Sequence, residues 1–385
     1  MKILHTSDWH IGHVLYDYDR HDEHIHIFKQ IKEIIAEDRP DVLLVSGDIF
    51  NTSQPSAAAQ KLLSETLIEF HETLPGMQIV LTAGNHDSPS RHEIFRTPWQ
   101  RLGIHVVGGI NRDDPDSHLI HIADKGVIAA IPYAYERNIP EGFIQDIIDR
   151  GRKIANGLPL IMMSHTTIEG CDFLGHEQLF NNNIGGIDMV TVDSFGKGYD
   201  YLALGHIHKP QTITLSGHIA RYSGSPLPIG FDESYLHSLT MVNIERSGDS
   251  PIIEERELTT LRPMLSIPAD EWVGWNEAIE AFRQLPDDTD AYVRLNVLIE
   301  NFLPPGAYQE ALNIARNKKC RFCLINTKNK TRNNHKGRGM TLSEFRALSP
   351  LQVLRQFARD KKITFDDKWE DMFILAEKRA TEIND

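Results

Sequence analysis

Apolar residues fall in short, compact runs along the first two thirds of the chain, and the runs are rich in β-branched residues. Lys2–Thr6, Val42–Ser46, Gln78–Thr82, Val127–Ile131, Leu160–Met163 and Tyr201–Leu204 read as buried strands on that pattern. The stretches between them follow a helical period. His24–Glu37 sets Ile27, Phe28, Ile31, Ile34 and Ile35 on one face, and Ser56–Phe70 carries a similar stripe through Leu62, Leu63 and Leu67. This alternation predicts an α/β core whose sheets are covered by helices. The pattern changes near Leu261–Pro263, where a strand over Ile252–Leu258 ends. A small βαβαβ unit follows, with strands at Met264–Ile267, Ala291–Ile299 and Arg321–Asn326 and helices at Trp272–Gln284 and Pro305–Asn317. Arg316–Arg338 then holds nine Lys or Arg and no acidic residue. Beyond it, Ser349–Arg359 and Phe365–Arg379 are amphipathic, the second through Phe365, Trp369, Met372, Phe373 and Ala376. The expected division is a large domain over 1–260, a smaller one over 261–328, and a basic linker with a helical hairpin over 329–385. So much apolar surface on a short hairpin calls for a docking partner.

Five segments place polar, metal-competent residues just after an apolar strand, where open α/β folds put their functional groups. They are Asp8 and His10 in SDWH, Asp48 in GDIF, Asn85–Asp87 in GNHD, His165 in MMSH, and His206 with His208 in GHIH. One such segment alone is commonly a surface or core feature, whereas five in order behind five strands are not expected by chance. Carboxylate, amide and imidazole without thiolate suit Mn²⁺, Fe²⁺ or Zn²⁺ and suit Ca²⁺ poorly. Two such ions about 3.5–4 Å apart need a bridging carboxylate, and Asp48 is the natural choice. Asp8, His10 and His208 are assigned to one ion and Asn85, His165 and His206 to the other. The two histidines of GHIH would point apart on a strand, so a turn at Gly205 is expected to bring them to neighbouring ions.

Composition narrows the setting. The 385 residues are 41% hydrophobic, enough for a large core and a second unit. No run reaches the roughly 18–20 apolar residues a bilayer demands, and the N-terminus lacks the apolar stretch of a signal peptide, so a cytoplasmic protein without a membrane partner is expected. Cys171, Cys320 and Cys323 are too few for a disulfide framework, and Cys320 with Cys323 lacks a second pair to complete a zinc site. A net charge of −14 argues against general attraction to polyanions, so a phosphate substrate needs local positive charge.

The series D-x-H, G-D, G-N-H-D, H and G-H-x-H resembles that of the calcineurin-like metallophosphoesterase superfamily over roughly the first 250 residues, with every ligand position filled. The resemblance implies a four-layer αββα sandwich of two mixed sheets between helices. More narrowly, ILHTSDWHIG, ALGHIHKPQ, YSGSPLPIGFDE and the small unit behind them are similar to the bacterial double-strand-break repair nucleases of that superfamily. That likeness implies two ions, Mn²⁺ foremost, and both exonuclease and endonuclease action on DNA ends and hairpins. It also implies a capping role against duplex backbone for 261–328 and docking of the C-terminal hairpin on a coiled-coil ATPase. A homodimer through helices near Ser56–Phe70 and Arg91–Leu102, within a heterotetramer, is implied as well. His86, beside Asn85, is the expected general acid for the leaving oxygen, with Asp87 orienting its ring. Relatives of archaeal and eukaryotic type carry a further phosphate-positioning histidine where this chain has Asn51. Fold alone leaves two other readings open, a stand-alone phosphodiesterase of small nucleotides and a catalytically silent scaffold. Tyr133 and Tyr135 in IPYAYERN are expected to pack in the core, with stacking on a base the less favoured reading.

Overall fold

The computed structural model of the protein describes residues 1–174, 189–215, 218–330, 350–361, 369–370 and 372–373. The chain divides into two compact units, Met1–Lys328 and Asn329–Asp385.

Two six-stranded mixed sheets form the centre of the first unit. One has the order Ile252–Glu257, Ser238–Asn243, Lys2–Thr6, Val42–Ser46, Gln78–Thr82, Ile104–Val107. Its last four strands are parallel, with Ile3 opposite Val42 and Ile79 opposite Ile104, and its first two are antiparallel. The other has the order Gln211–Leu215, His218–Tyr222, Tyr201–Gly205, Leu160–His165, Gly126–Ala130, Leu119–Ile122, parallel in its four central strands and antiparallel at both edges.

The side-chain period of two shows why these strands read as unbroken apolar runs. Leu43, Val45, Ile79 and Leu81 face the helices His21–Asp38 and Ala57–Thr73, packing on Ile27, Phe28, Ile31, Leu63, Leu67 and Phe70. The intervening Val42, Leu44 and Val80 face the other sheet and meet Ile128, Ile161, Met163, Tyr201 and Ala203. On that sheet Val127, Ala129, Leu160, Met162, Leu202 and Leu204 turn outward onto Phe143, Ile147 and Ile148 of helix Phe143–Ala155. Helix, sheet, sheet and helix thus make four layers, and the strands Val42–Ser46, Gln78–Thr82 and Leu160–His165 at their centre are largely apolar on both faces. Each such side chain removed from water contributes about 1.5–3 kcal/mol. Ser56 caps helix Ala57–Thr73, its hydroxyl accepting from the Ala59 amide at 3.2 Å, so that the helix starts where the polar loop ends.

Residues 264–329 form a three-stranded sheet, Met264–Ile267, Tyr292–Ile299, Arg321–Asn329, with helices Trp275–Gln284 and Ala307–Ala315. Its first two strands are parallel, as a crossover through an intervening helix requires. Phe282, Val293, Leu295, Val297 and Phe322 make a core of its own. A second, partly ionic contact ties it to the start of the chain. The Tyr292 hydroxyl donates to Glu23 at 2.7 Å, Arg262 lies 3.2 Å from the same carboxylate, and the guanidinium of Arg20 sits 5.4 Å from the Tyr292 ring centre. Glu23 and Arg20 are fully buried, so each needs the other groups of this network to offset its lost hydration. Cys320 and Cys323 are buried free thiols within this packing.

In the second unit Pro350–Lys361 is a helix, and Arg355 pairs with Glu370. Most of the expected second helix over Phe365–Arg379, and the basic residues 331–338, lie outside the described residues. Among the described residues no helix is long and apolar enough to cross a membrane.

Candidate metal centre

The parallel strands of both sheets end at one edge, and the five polar segments are the turns that leave them. Asp8 and His10 follow Lys2–Thr6, Asp48 follows Val42–Ser46, and Asn85–Asp87 follow Gln78–Thr82. His165 closes strand Leu160–His165, and His206 and His208 follow Tyr201–Gly205. The turns are tight and mutually bonded. The Asp8 amide donates to Gly47 O at 3.0 Å, and the His10 amide to Asp48 O at 3.0 Å. Asp8, His10, Asp48 and His206 take positive φ values of 54°, 46°, 50° and 95°, a region side chains enter at a cost and one that gathers at functional sites. The turn expected at Gly205 is made by His206 instead. Gly205 is needed for another reason: a Cβ there would lie 1.9 Å from Ser46 O. Gly84 has the same role one strand away, where a Cβ would lie 2.1 Å from Asp48 Oδ1. Gly205 lets the two sheets close on one another, and Gly84 lets two neighbouring turns of one sheet do so.

The side chains gather in two groups. Asp8, His10 and His208 present ligand atoms within 4.8 Å of one another, and so do Asp48, His165 and His206. Asn85 joins the second group, its Oδ1 lying 3.1 Å from His165 Nε2 and 3.0 Å from His206 Nδ1. Asp48 Oδ2 lies 3.4 Å from His165 Nε2 and 3.8 Å from His10 Nε2, between the groups. The seven expected ligands are therefore together. The donor set also fits a divalent cation. His165 Nδ1 donates to Ser46 O at 2.8 Å, and His208 Nδ1 to Glu233 Oε1 at 2.7 Å. Each bond fixes a tautomer whose Nε2 lone pair points into the site. His10 and His208 face each other through Nε2 at 3.1 Å, two nitrogens converging on one place.

Burial sets the electrostatics. It pushes His10 and His208 down to about 3, the neutral form that ligates metal, and pushes the Asp8 carboxyl up to about 7, with the charge of Asp48 adding to the rise. Burial works against ionised Asp48 too, yet the neighbouring His165 imidazole holds that carboxyl well below its usual range. Burial likewise opposes a charged His165, but the attraction of Asp48 outweighs it and raises the ring to about 9, so a cation that takes the Nε2 lone pair must displace a proton from it.

His86 is exposed at the rim, edge-on to His10 with ring centres 5.0 Å apart. Its Nδ1 donates to Asn51 O at 2.9 Å, and its amide donates to Asp48 Oδ1 at 2.9 Å. Asp87 does not orient it. The Asp87 carboxylate turns into the core and accepts from the amides of Gly84, Ile49 and Phe50 at 2.9, 3.0 and 2.9 Å, with His92 Nε2 3.2 Å away. Adjacent side chains in so tight a turn diverge, and three unpaired amides outcompete a solvent-facing ring. Asn51, which stands where some relatives carry a histidine, thus positions His86 through its main chain. Glu233, not among the expected site residues, is the group that fixes His208. It is itself held by the Ile229 amide at 3.0 Å and lies 3.8 Å from His237. Tyr135 is 50% exposed, so it does not pack in the core as expected.

A family model described as calcineurin-like phosphoesterase matches residues 1–210. The curated SbcD subunit of the nuclease SbcCD from Rhodobacter capsulatus is 34% identical over 316 residues, covering 74% of this chain and 76% of that one. The protein of the same name from Bacillus subtilis is 28% identical over 329 residues, covering 79% and 80%. That from Escherichia coli K12 is 26% identical over 328 residues, covering 79% of each.

Proposed function

The chain belongs to the calcineurin-like phosphoesterase family, among the SbcD subunits of SbcCD nucleases, and on that premise we propose that it hydrolyses DNA phosphodiester bonds at ends and hairpins with two Mn²⁺ ions. The convergence of Asp8, His10, Asp48, Asn85, His165, His206 and His208 from five strand ends carries this reading. When bound, two divalent cations would supply an activated water and offset charge on the phosphoryl oxygens. Asp8, His10 and His208 would hold one ion and Asn85, His165 and His206 the other, with Asp48 placed between the two groups. The residues of the chain do the rest. Glu233 and Ser46 O keep His208 and His165 in the ligating tautomer. A carbonyl can only accept, so His86 Nδ1 carries the hydrogen bonded to Asn51 O, and in the doubly protonated ring Nε2–H is the group that hands a proton to the leaving oxygen, leaving the ring neutral.

The basic residues from Arg316 onward and the unit over 261–328 support a grip on DNA backbone, and the helix Pro350–Lys361 supports docking on an SbcC-type coiled-coil ATPase. Ile68 and Ile94, 43% and 70% exposed on helices Ala57–Thr73 and Pro89–Gln100, support a homodimer within a cytoplasmic heterotetramer. The test is cleavage of a hairpin duplex by the chain after EDTA dialysis, with Mn²⁺ restored, in the presence and absence of the ATPase. Cleavage that returns with Mn²⁺ is the expected result. Turnover of small diesters alone would exclude the nuclease reading, and no turnover of either substrate would mark a silent scaffold.

A further inference from the structure

Between strand Gly126–Ala130 and helix Phe143–Ala155 the chain passes the rim of the metal centre as Ile131–Asn138. The segment is anchored there. The Ile131 amide donates to Met163 O at 3.1 Å, the Tyr133 amide to Ala83 O at 2.8 Å, and the Asn138 amide to Tyr135 O at 2.7 Å. Ile131, Pro132 and Ala134 line a cavity of about 380 Å³, and the two tyrosines do not. The tyrosines meet each other instead, ring centres 5.6 Å apart at 68°. Tyr133 in turn stands edge-on to His165 at 6.3 Å, and His165 to His206 at 5.2 Å. At the outer end the guanidinium of Arg137 lies 5.1 Å from the Tyr135 ring centre and holds that half-exposed ring in place.

A staircase of rings therefore runs from solvent to two residues of the open donor group. Tyr135 is a large aromatic surface kept out of the core, fixed by a cation, two ring steps from the place where a phosphate would be cut. A molecule of net charge −14 gains little from general attraction to a polyanion, so contacts that do not depend on charge carry more of its affinity for substrate. We propose that Tyr135, braced by Arg137 and Tyr133, is a stacking platform for one unpaired nucleobase beside the scissile phosphate. Every base offers a π face, so the contact is tolerant of sequence. Bases inside a duplex are already stacked, so the platform favours hairpin loops and frayed ends. The proposal rests on the nuclease reading above and adds a substrate-positioning residue to it.

The experiment has two arms on the full chain. In EDTA, a single-stranded oligonucleotide carrying 2-aminopurine is titrated with wild type, Tyr135→Ala and Tyr135→Trp. Quenching by wild type, binding weakened about tenfold with quenching lost in Tyr135→Ala, and both restored in Tyr135→Trp is the expected result. No quenching by wild type, or equal quenching by Tyr135→Ala, overturns the platform. With Mn²⁺, turnover of methyl p-nitrophenyl phosphate, a diester without a base, is compared with cleavage of single-stranded DNA. Tyr135→Ala is expected to raise KM for DNA, leave kcat alone and leave the base-free diester untouched. An equal loss on both substrates reduces Tyr135 to a structural residue and overturns the proposal. If wild type turns over neither substrate, the metal-centre reading fails, and the fluorescence arm still decides the platform.

Discussion

The two donor groups hang from the same strand ends but are held in different ways. Asp8, His10 and His208 are buried, and His208 is gripped from behind by Glu233, itself bonded to a backbone amide. In the other group Asp48 and His165 are buried, while His206 is half-buried and Asn85 exposed, with the exposed His86 alongside. Burial and second hydrogen bonds lock rotamers, and exposure leaves room for an incoming group. The first group is built to keep what it binds, and the second faces the side from which a phosphate arrives. This asymmetry is not visible in the motifs, which supply similar residues to both.

Perturbations can break or sharpen that contrast. Asp48→Asn touches both groups at once and should lower phosphodiester hydrolysis by about a thousandfold or more at an unchanged circular dichroism spectrum. Activity surviving near the wild-type level would mean the groups do not work as a pair. His86→Gln acts at the exposed rim, beside His10 and Asp48. DNA cleavage should fall roughly a hundredfold, with a far smaller loss on p-nitrophenyl diesters, whose leaving group needs no proton. Equal losses on the two substrates would remove His86 from the acid role. Glu233→Gln acts on the closed side alone and should weaken one of two metal-binding events by roughly 10–100-fold in calorimetric titration. If both events weaken together, the contrast between the groups is wrong. Tyr292→Phe touches neither and serves as the reference. Loss of its bond to buried Glu23 should cost about 1–3 kcal/mol in urea unfolding, with metal affinity unchanged.

Strands buried on both faces are the most legible part of the chain. Lys2–Thr6, Val42–Ser46 and Gln78–Thr82 lie where the apolar runs predict them, because burial on two faces keeps the middle of each run almost wholly apolar, and the half-buried Met264–Ile267 lies where predicted as well. Strands that pass unnoticed in the sequence, such as Gln211–Leu215 and His218–Tyr222, lie toward a sheet edge and mix polar with apolar residues as a loop does. The ligand candidates are legible since each follows such a buried strand. Their supports are not. Glu233 ends the segment YSGSPLPIGFDE, yet it meets His208 only through the fold, and nothing in its neighbours assigns it that role. Asp87 misleads because adjacency in sequence suggests a pairing with His86 that the turn forbids. The positive φ of His206 hides behind a glycine that looks the obvious place for the turn.

The layer of Val42, Leu44, Val80, Ile128, Ile161 and Met163 between the two sheets has a consequence far from where it lies. Each donor group draws residues from both sheets, so the site works as the jaws of a caliper whose opening is set by the thickness of that apolar layer. Trimming or swelling a side chain at Leu44 or Met163 would alter the gauge of the jaws without touching a ligand, and reactivity would then drift with the volume of residues that never meet the substrate.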